Sequence, residues 1–159
     1  MSSISPPQQS PQEPQPQPQH MQVAPIHRAN FPTNRSLTKF ILLGIITLGI
    51  YQIYVIARAG EDLNAIASRY DNKRTMNYWL VALLLGWLTL GIMQFVWWHG
   101  TSNRIGNEQA RRGQARTISS ADFWLWCVLG SLIIVGPFVF MYKWLHAMNG
   151  LCADFNERG

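Results

Sequence analysis

Three stretches of this 159-residue chain carry no Asp, Glu, Lys or Arg: Phe40 to Ala57, Thr75 to Asn103 and Phe123 to Tyr142. Any fold has to accommodate them. Their hydrophobic parts are about 18 to 21 residues each, the length of a helix that crosses a bilayer core of ~30 Å. As buried helices of a water-soluble core they would need polar chain wrapped around every side, and the remainder is too short for that. Charged residues make up only 13% of the chain, against ~25% in soluble domains. The mean hydropathy of −0.01 conceals the runs because a polar segment offsets them.

That polar segment is N-terminal. Eight of the nine prolines lie between Pro6 and Pro32, among Gln8, Gln9, Gln12, Gln15, Gln17, Gln19 and Gln22, and only Glu13 is charged before Arg28. With so few bulky apolar side chains, residues 1–34 are expected to form a disordered, polyproline-biased tail. No basic residue flanks the alternating Pro-Gln stretch as an SH3-type ligand would require, so it reads as a flexible leader. The opening Met1-Ser2-Ser3-Ile4 and closing Glu157-Arg158-Gly159 fit neither a cleavable signal nor the myristoylation and prenylation patterns. The expected fold is thus an all-α membrane protein. It has three transmembrane helices over residues 35–159, each with a polar or amphipathic extension, in repeats at about 36–70, 76–116 and 119–159.

The repeat is visible in the residues. Gly44-Ile45-Ile46-Thr47-Leu48-Gly49 recurs as Gly86-Trp87-Leu88-Thr89-Leu90-Gly91 and, more loosely, as Ser131-Leu132-Ile133-Ile134-Val135-Gly136. A period of this kind marks a repeated supersecondary unit. Small residues let helices approach closely where lipid gives no hydrophobic drive for association, so Gly44, Gly49, Gly86, Gly91, Ser131 and Gly136 are candidates for helix packing. The same glycines, with Pro137, are also where a run can break and turn back. Gln52 and Gln94 follow the second glycine by three residues and are read as intramembrane polar groups that bond between helices, rather than as a polar lining. After the first run, Ala59, Leu63, Ile66, Ala67 and Tyr70 share a helical face; after the third, Leu145, Met148, Leu151, Cys152 and Phe155 do. Trp79, Trp97, Trp98, Trp124, Trp126 and Trp144 flank the runs and read as two aromatic belts.

The stretch Ile41-Leu42-Leu43-Gly44-Ile45-Ile46-Thr47-Leu48-Gly49-Ile50-Tyr51-Gln52-Ile53-Tyr54, preceded by Arg35-Ser36-Leu37 and followed by Asp62-Leu63-Asn64, resembles the mainly bacterial integral-membrane family known as domain of unknown function 4234. The later copies share the pattern through Thr89-Leu90-Gly91-Ile92, Trp97-Trp98-His99 and Asn103-Arg104-Ile105-Gly106, so that the resemblance runs from Arg35 to Gly159. Met93 and Val96 stand in the second copy where the first has Tyr51 and Tyr54, and Phe138 and Met141 in the third. The resemblance implies a multi-pass membrane protein and assigns no reaction.

For three full crossings, Lys and Arg divide seven against six, and the clusters Arg28, Arg35, Lys39 and Arg104, Arg111, Arg112, Arg116 favour a cytoplasmic N-terminus in the cell membrane. If each run instead dips and returns at its glycines, all polar extensions share one side and no charge asymmetry is needed.

Nothing in the residues reads as catalytic or metal-binding. His99 and His146 follow apolar runs, His20 and His27 lie in the tail, and Cys127 and Cys152 lack ligand spacing. No cofactor is expected, and no enzyme activity. The net charge of +5 is spread through the connections, which suits anionic headgroups and not nucleic acid. The expected partners are the lipid bilayer and a second copy or another membrane protein. The expected role is a membrane-embedded interaction or scaffold protein, or alternatively a small oligomeric transporter or channel component.

Overall fold

A computed structural model describes residues 30–159; most of the expected tail lies outside the described residues. Among the described residues the fold is all-α. We number its helices α1 (Leu37–Ile46), α2 (Ile50–Asp71), α3 (residues 78–88, with a π-helical stretch over Val81–Leu85), α4 (Ile92–Arg111), α5 (residues 120–133, π-helical then 3₁₀) and α6 (Gly136–Arg158).

The expected three spanning helices are not what the chain builds. No helix among the described residues is long and apolar enough to cross a membrane. Each charge-free run is split by a tight turn, at residues 47–49, 89–91 and 134–135, and its two halves fold back on each other as a helical hairpin. The physical cause is local: Gly49 and Gly91 adopt φ of 90° and 86°, a left-handed conformation that stops a helix and costs glycine nothing. The longer arms α2, α4 and α6 continue past the apolar run into the polar extension.

These long arms pack against one another and run parallel. A Cβ at Gly60 in α2 would stand 3.3 Å from the Trp97 ring of α4. Further along the same pair, Arg104 reaches Asn64 and Asp71. Trp98 meets Phe140 at the start of α6, and Arg112 meets Asp154 near its end, 3.0 Å away. Parallel long arms put the three turns at one end of the molecule. The chain before α1 and the connections after α2 and α4 lie at the other, which we call the base.

Burial is inverted relative to the apolar pattern. The largest fully buried side chains, among them Trp144, Phe140, Leu63, Ile66, Ile105 and Leu151, sit toward the base, while Leu48, Leu90 and Ile134 at the turns are exposed. The amphipathic faces read from the sequence pack on each other inside the base, apart from Tyr70, which is exposed. Trp97, Trp98 and Trp144 form an interior aromatic cluster with Tyr78 and Phe140. With the runs folded back, the expected two aromatic belts become one level above the base.

The base is closed by amide side chains that grip the backbone ahead of a hairpin. Asn64 of α2 accepts from Thr75 N (2.6 Å) and donates to Thr75 O (2.9 Å). Gln109 of α4 accepts from Thr117 N at 3.0 Å. Asn149 of α6 accepts from Arg35 N (3.1 Å) and donates to Arg35 O (2.9 Å). Each hairpin therefore holds the approach to the next, and the third holds the approach to the first. Carboxylates neutralise the cations beside them: buried Asp62 pairs with Arg35 and buried Glu108 with Arg111 and Arg112, while half-buried Asp122 pairs with Lys143. Burial lifts the Asp62 carboxyl above its usual range despite Arg35.

Arg104 is the hub. Its guanidinium donates to Asp71 (2.6 and 3.0 Å), Asn64 (2.6 Å), Thr75 (2.7 Å), Ser68 (3.0 Å) and the Lys73 carbonyl (2.5 Å). Burial is the largest influence on the Asp71 carboxyl and pushes it up, but the hydrogen bonds from Arg104 and the Lys73 N–H, with the positive charges of both residues, together outweigh it and hold the pKa below the usual value. In the stretch after the second run, Ile105 is the one clear apolar anchor that periodicity offers. The helix there buries Thr101, Ser102, Arg104, Glu108 and Gln109; Arg104, Glu108 and Gln109 meet polar side chains, while Thr101 bonds back to Trp97 O. Removing one partner of such a buried pair costs about 3 to 5 kcal/mol. Arg104→Ala should lose that much in denaturant unfolding, and Arg104→Lys should fall between, because one ammonium does not reproduce the fork. Wild-type stability in Arg104→Lys would contradict the role given to the fork.

Candidate membrane interface

The turned end of the molecule is built from the repeated glycine motif. In the first hairpin the Gly49 N–H donates to the Gly44 carbonyl (2.7 Å) and the Leu48 N–H to the Ile45 carbonyl (3.2 Å). The second repeats this with Gly91 to Gly86 (2.7 Å) and Leu90 to Trp87 (3.4 Å). This is the Schellman arrangement, which satisfies helix-end carbonyls internally. The spacing of five between the small residues is thus the spacing of a hydrogen bond. The threonine between them completes it: Thr47 Oγ1 donates to Leu43 O (2.6 Å) and accepts from Tyr51 N (3.0 Å). Thr89 does the same with Leu85 and Met93 at 2.6 and 3.1 Å.

The first glycine of each pair also makes room for a glutamine. A Cβ at Gly44 would fall 2.5 Å from the Gln52 amide; one at Gly86 would press first on the Val81 carbonyl at 3.1 Å, with the Gln94 amide in ordinary contact at 3.4 Å. Gln94 accepts from the Tyr78 hydroxyl at 2.9 Å, across its own hairpin. Both glutamines lie between the two helical arms of a hairpin, Gln94 against Tyr78 and Gln52 against Gly44. Gly49 and Gly91 have little or nothing near the missing Cβ; their role is the turn conformation.

The third hairpin departs from the sequence alignment of the repeat. Gly136 does meet its opposite arm, but at Gly130 and not at Ser131: a Cβ on Gly136 would fall 2.4 Å from Gly130 Cα. Ser131 is exposed and donates to its own helix at Val128 O, 2.5 Å away. Reading by the first copy's spacing misses Gly130, because the 3₁₀ stretch over Leu129–Ile133 shifts the approach by one residue. Pro137, in the first turn of α6, contributes no N–H where helices leave donors unpaired.

One feature of the turns has no sequence signal at all. Leu48, Leu90 and Ile134 occupy positive φ, at 51°, 50° and 64°, a strain of roughly 1 to 2 kcal/mol each for residues with a Cβ. Their exposures are 94%, 93% and 76%. At the base the corresponding positive-φ positions ending α2 and α4 are Asn72 and Gly113, the residues that favour this conformation in water. Around the three apices lie further exposed apolar side chains, including Ile45, Ile46, Trp87, Leu88, Leu132 and Ile133. The surface they form carries no charge.

The glycine assignments separate by mutation. Gly44→Ala should destabilise by roughly 1 to 3 kcal/mol through overpacking, and Gln52→Ala should relieve it, giving a coupling of at least ~0.5 kcal/mol in a double-mutant unfolding cycle. Gly49→Ala should cost about 1 kcal/mol through backbone strain, with no relief from Gln52→Ala. Equal relief of both variants would contradict the division of roles.

Comparison with known proteins bears on the first two hairpins. No curated protein and no solved structure matches the chain. The family match covers residues 35–107, from the Arg35 clamp through the first hairpin and into α4, and leaves α5 and α6 outside it. Over that segment the chain is similar to the family described as Domain of unknown function (DUF4234).

Proposed function

We propose that this is a membrane-embedded scaffold protein that holds three apolar hairpins in one leaflet and presents its polar base at the membrane surface. The observation that carries the reading is the set of apices. Leu48, Leu90 and Ile134 accept backbone strain in order to project an apolar side chain outward, where glycine or asparagine would relieve it. In water such an end is a liability. In hydrocarbon it is favoured, and the first two turns supply much of their own hydrogen bonding: the Gly44, Ile45, Gly86 and Trp87 carbonyls and both threonine hydroxyls are paired internally.

Depth supports one leaflet. The charge-free parts of the long arms, Ile50 to Ala57, Ile92 to Asn103 and Gly136 to Tyr142, extend about 11 to 18 Å at ~1.5 Å per residue. Half of a bilayer core is about 15 Å. Hairpins that return leave every connection on one side, which removes the need for charge asymmetry between loops. The surplus of Lys and Arg favours the cytoplasmic face of the cell membrane. A transport path needs a route through both leaflets, and hairpins of this depth supply none, so the scaffold reading is preferred to the channel reading.

Charge at two apices tests this. An aspartate at hydrocarbon depth costs about 2.5 to 3.5 kcal/mol. Leu48→Asp combined with Leu90→Asp should therefore move the protein from floated phosphatidylcholine vesicles to the soluble fraction, with helix content by circular dichroism unchanged. Flotation equal to wild type would contradict insertion of the apices.

A further inference from the structure

The base end of the first hairpin carries a groove of about 250 Å³, lined by Lys39, Tyr51, Tyr54 and Arg58 together with Ser36 and Asn34. It sits where the charge-free stretch stops: Lys39 is the last charge before Phe40 and Arg58 the first after Ala57. The repeat builds the same groove in the second hairpin, about 270 Å³, where Met93, Val96 and Gly100 stand at the places of Tyr51, Tyr54 and Arg58, each 42 residues on. In that copy the helix contributes no charge and no hydroxyl at these places, and the cations Lys73 and Arg74 come from the connection. The two grooves share a backbone plan and differ in chemistry.

No carboxylate lines the first groove. Arg35, at its floor, is neutralised by buried Asp62. Arg58 holds Glu61 at 2.9 Å on the exposed side, and Lys39 is exposed with no ion pair among the described residues. Two cations, a serine hydroxyl and two phenols around one concavity are donors for a phosphate. Tyrosine rings also sit well at headgroup level, with an apolar body and a polar tip.

We propose that this groove binds the phosphate of an anionic membrane lipid, with Lys39 and Arg58 supplying the charge at its mouth, Tyr54 next to them and Tyr51 lining its deeper end toward the turn. The proposal rests on the insertion reading above, which places the groove at the headgroup level of the leaflet.

The test uses the full chain in mild detergent, with lipid retention read by native mass spectrometry and membrane insertion read separately by flotation. Short-chain phosphatidylglycerol should be retained over phosphatidylcholine. Lys39→Gln with Arg58→Gln should weaken that retention by roughly 30-fold, the equivalent of about 1 kcal/mol per near-surface cation, while Lys39→Arg with Arg58→Lys should keep it. Equal retention of both lipids, or no loss in the glutamine variant, overturns the proposal. So does complete displacement of phosphatidylglycerol by millimolar inorganic phosphate, which assigns the groove to free phosphate. Flotation with phosphatidylcholine vesicles separates the two failures. If the chain floats yet does not select phosphatidylglycerol, the groove proposal alone fails; if it does not float, the insertion reading fails with it.

Discussion

The hydrogen bond from the second glycine to the first in the two matching copies of the motif, Gly49 to Gly44 and Gly91 to Gly86 at 2.7 Å, is the constraint on which most of the remaining architecture depends. A helix that stops leaves carbonyls unpaired, and in hydrocarbon each costs several kcal/mol. Closing them inside the turn lets an apolar run stop midway without water. Once the runs turn back, α2, α4 and α6 can lie parallel, and every polar extension is delivered to the same end. The base could not assemble from three helices that crossed and alternated sides.

Stability and surface are consequently divided between the two ends. The aromatic cluster of Trp97, Trp98 and Trp144 lies just above the base, and the base holds the Arg104 hub, with Asn64, Gln109 and Asn149 closing the ring of hairpins. The turned end has little interior and exposes its leucines and isoleucines. Such an object is coherent when lipid covers one end and water the other.

How much of this the residues reveal depends on the kind of interaction. The all-helical content, the three charge-free runs and the glycine repeat follow from periodicity and composition, which act locally. Whether a run spans or returns does not, because Gly44-Ile45-Ile46-Thr47-Leu48-Gly49 suits a close helix contact and a Schellman turn equally; only the backbone angles at Leu48 and Gly49 separate them. The buried roles of Arg104 and of the Arg112 guanidinium are illegible, since a polar helix face gains them only through distant partners, here Asp71 and Asp154. Gly130 escaped notice because a 3₁₀ stretch moved the contact by one position. The tyrosines of the first copy, by contrast, stood out as departures from the repeat, and their place beside Lys39 and Arg58 gives that difference a chemical sense.

The central claim is that the runs return and do not cross, and sidedness measures it most directly. Cys152 is fully buried and reports poorly, so single cysteines belong at exposed Lys73 and Ala115, in the two connections, with Cys127 and Cys152 replaced by alanine. Labelling with an impermeant thiol reagent before and after permeabilising cells should find both positions on the same side, protected in intact cells and reactive once the membrane is opened. Reactivity of one position from outside and the other only from inside would contradict the account.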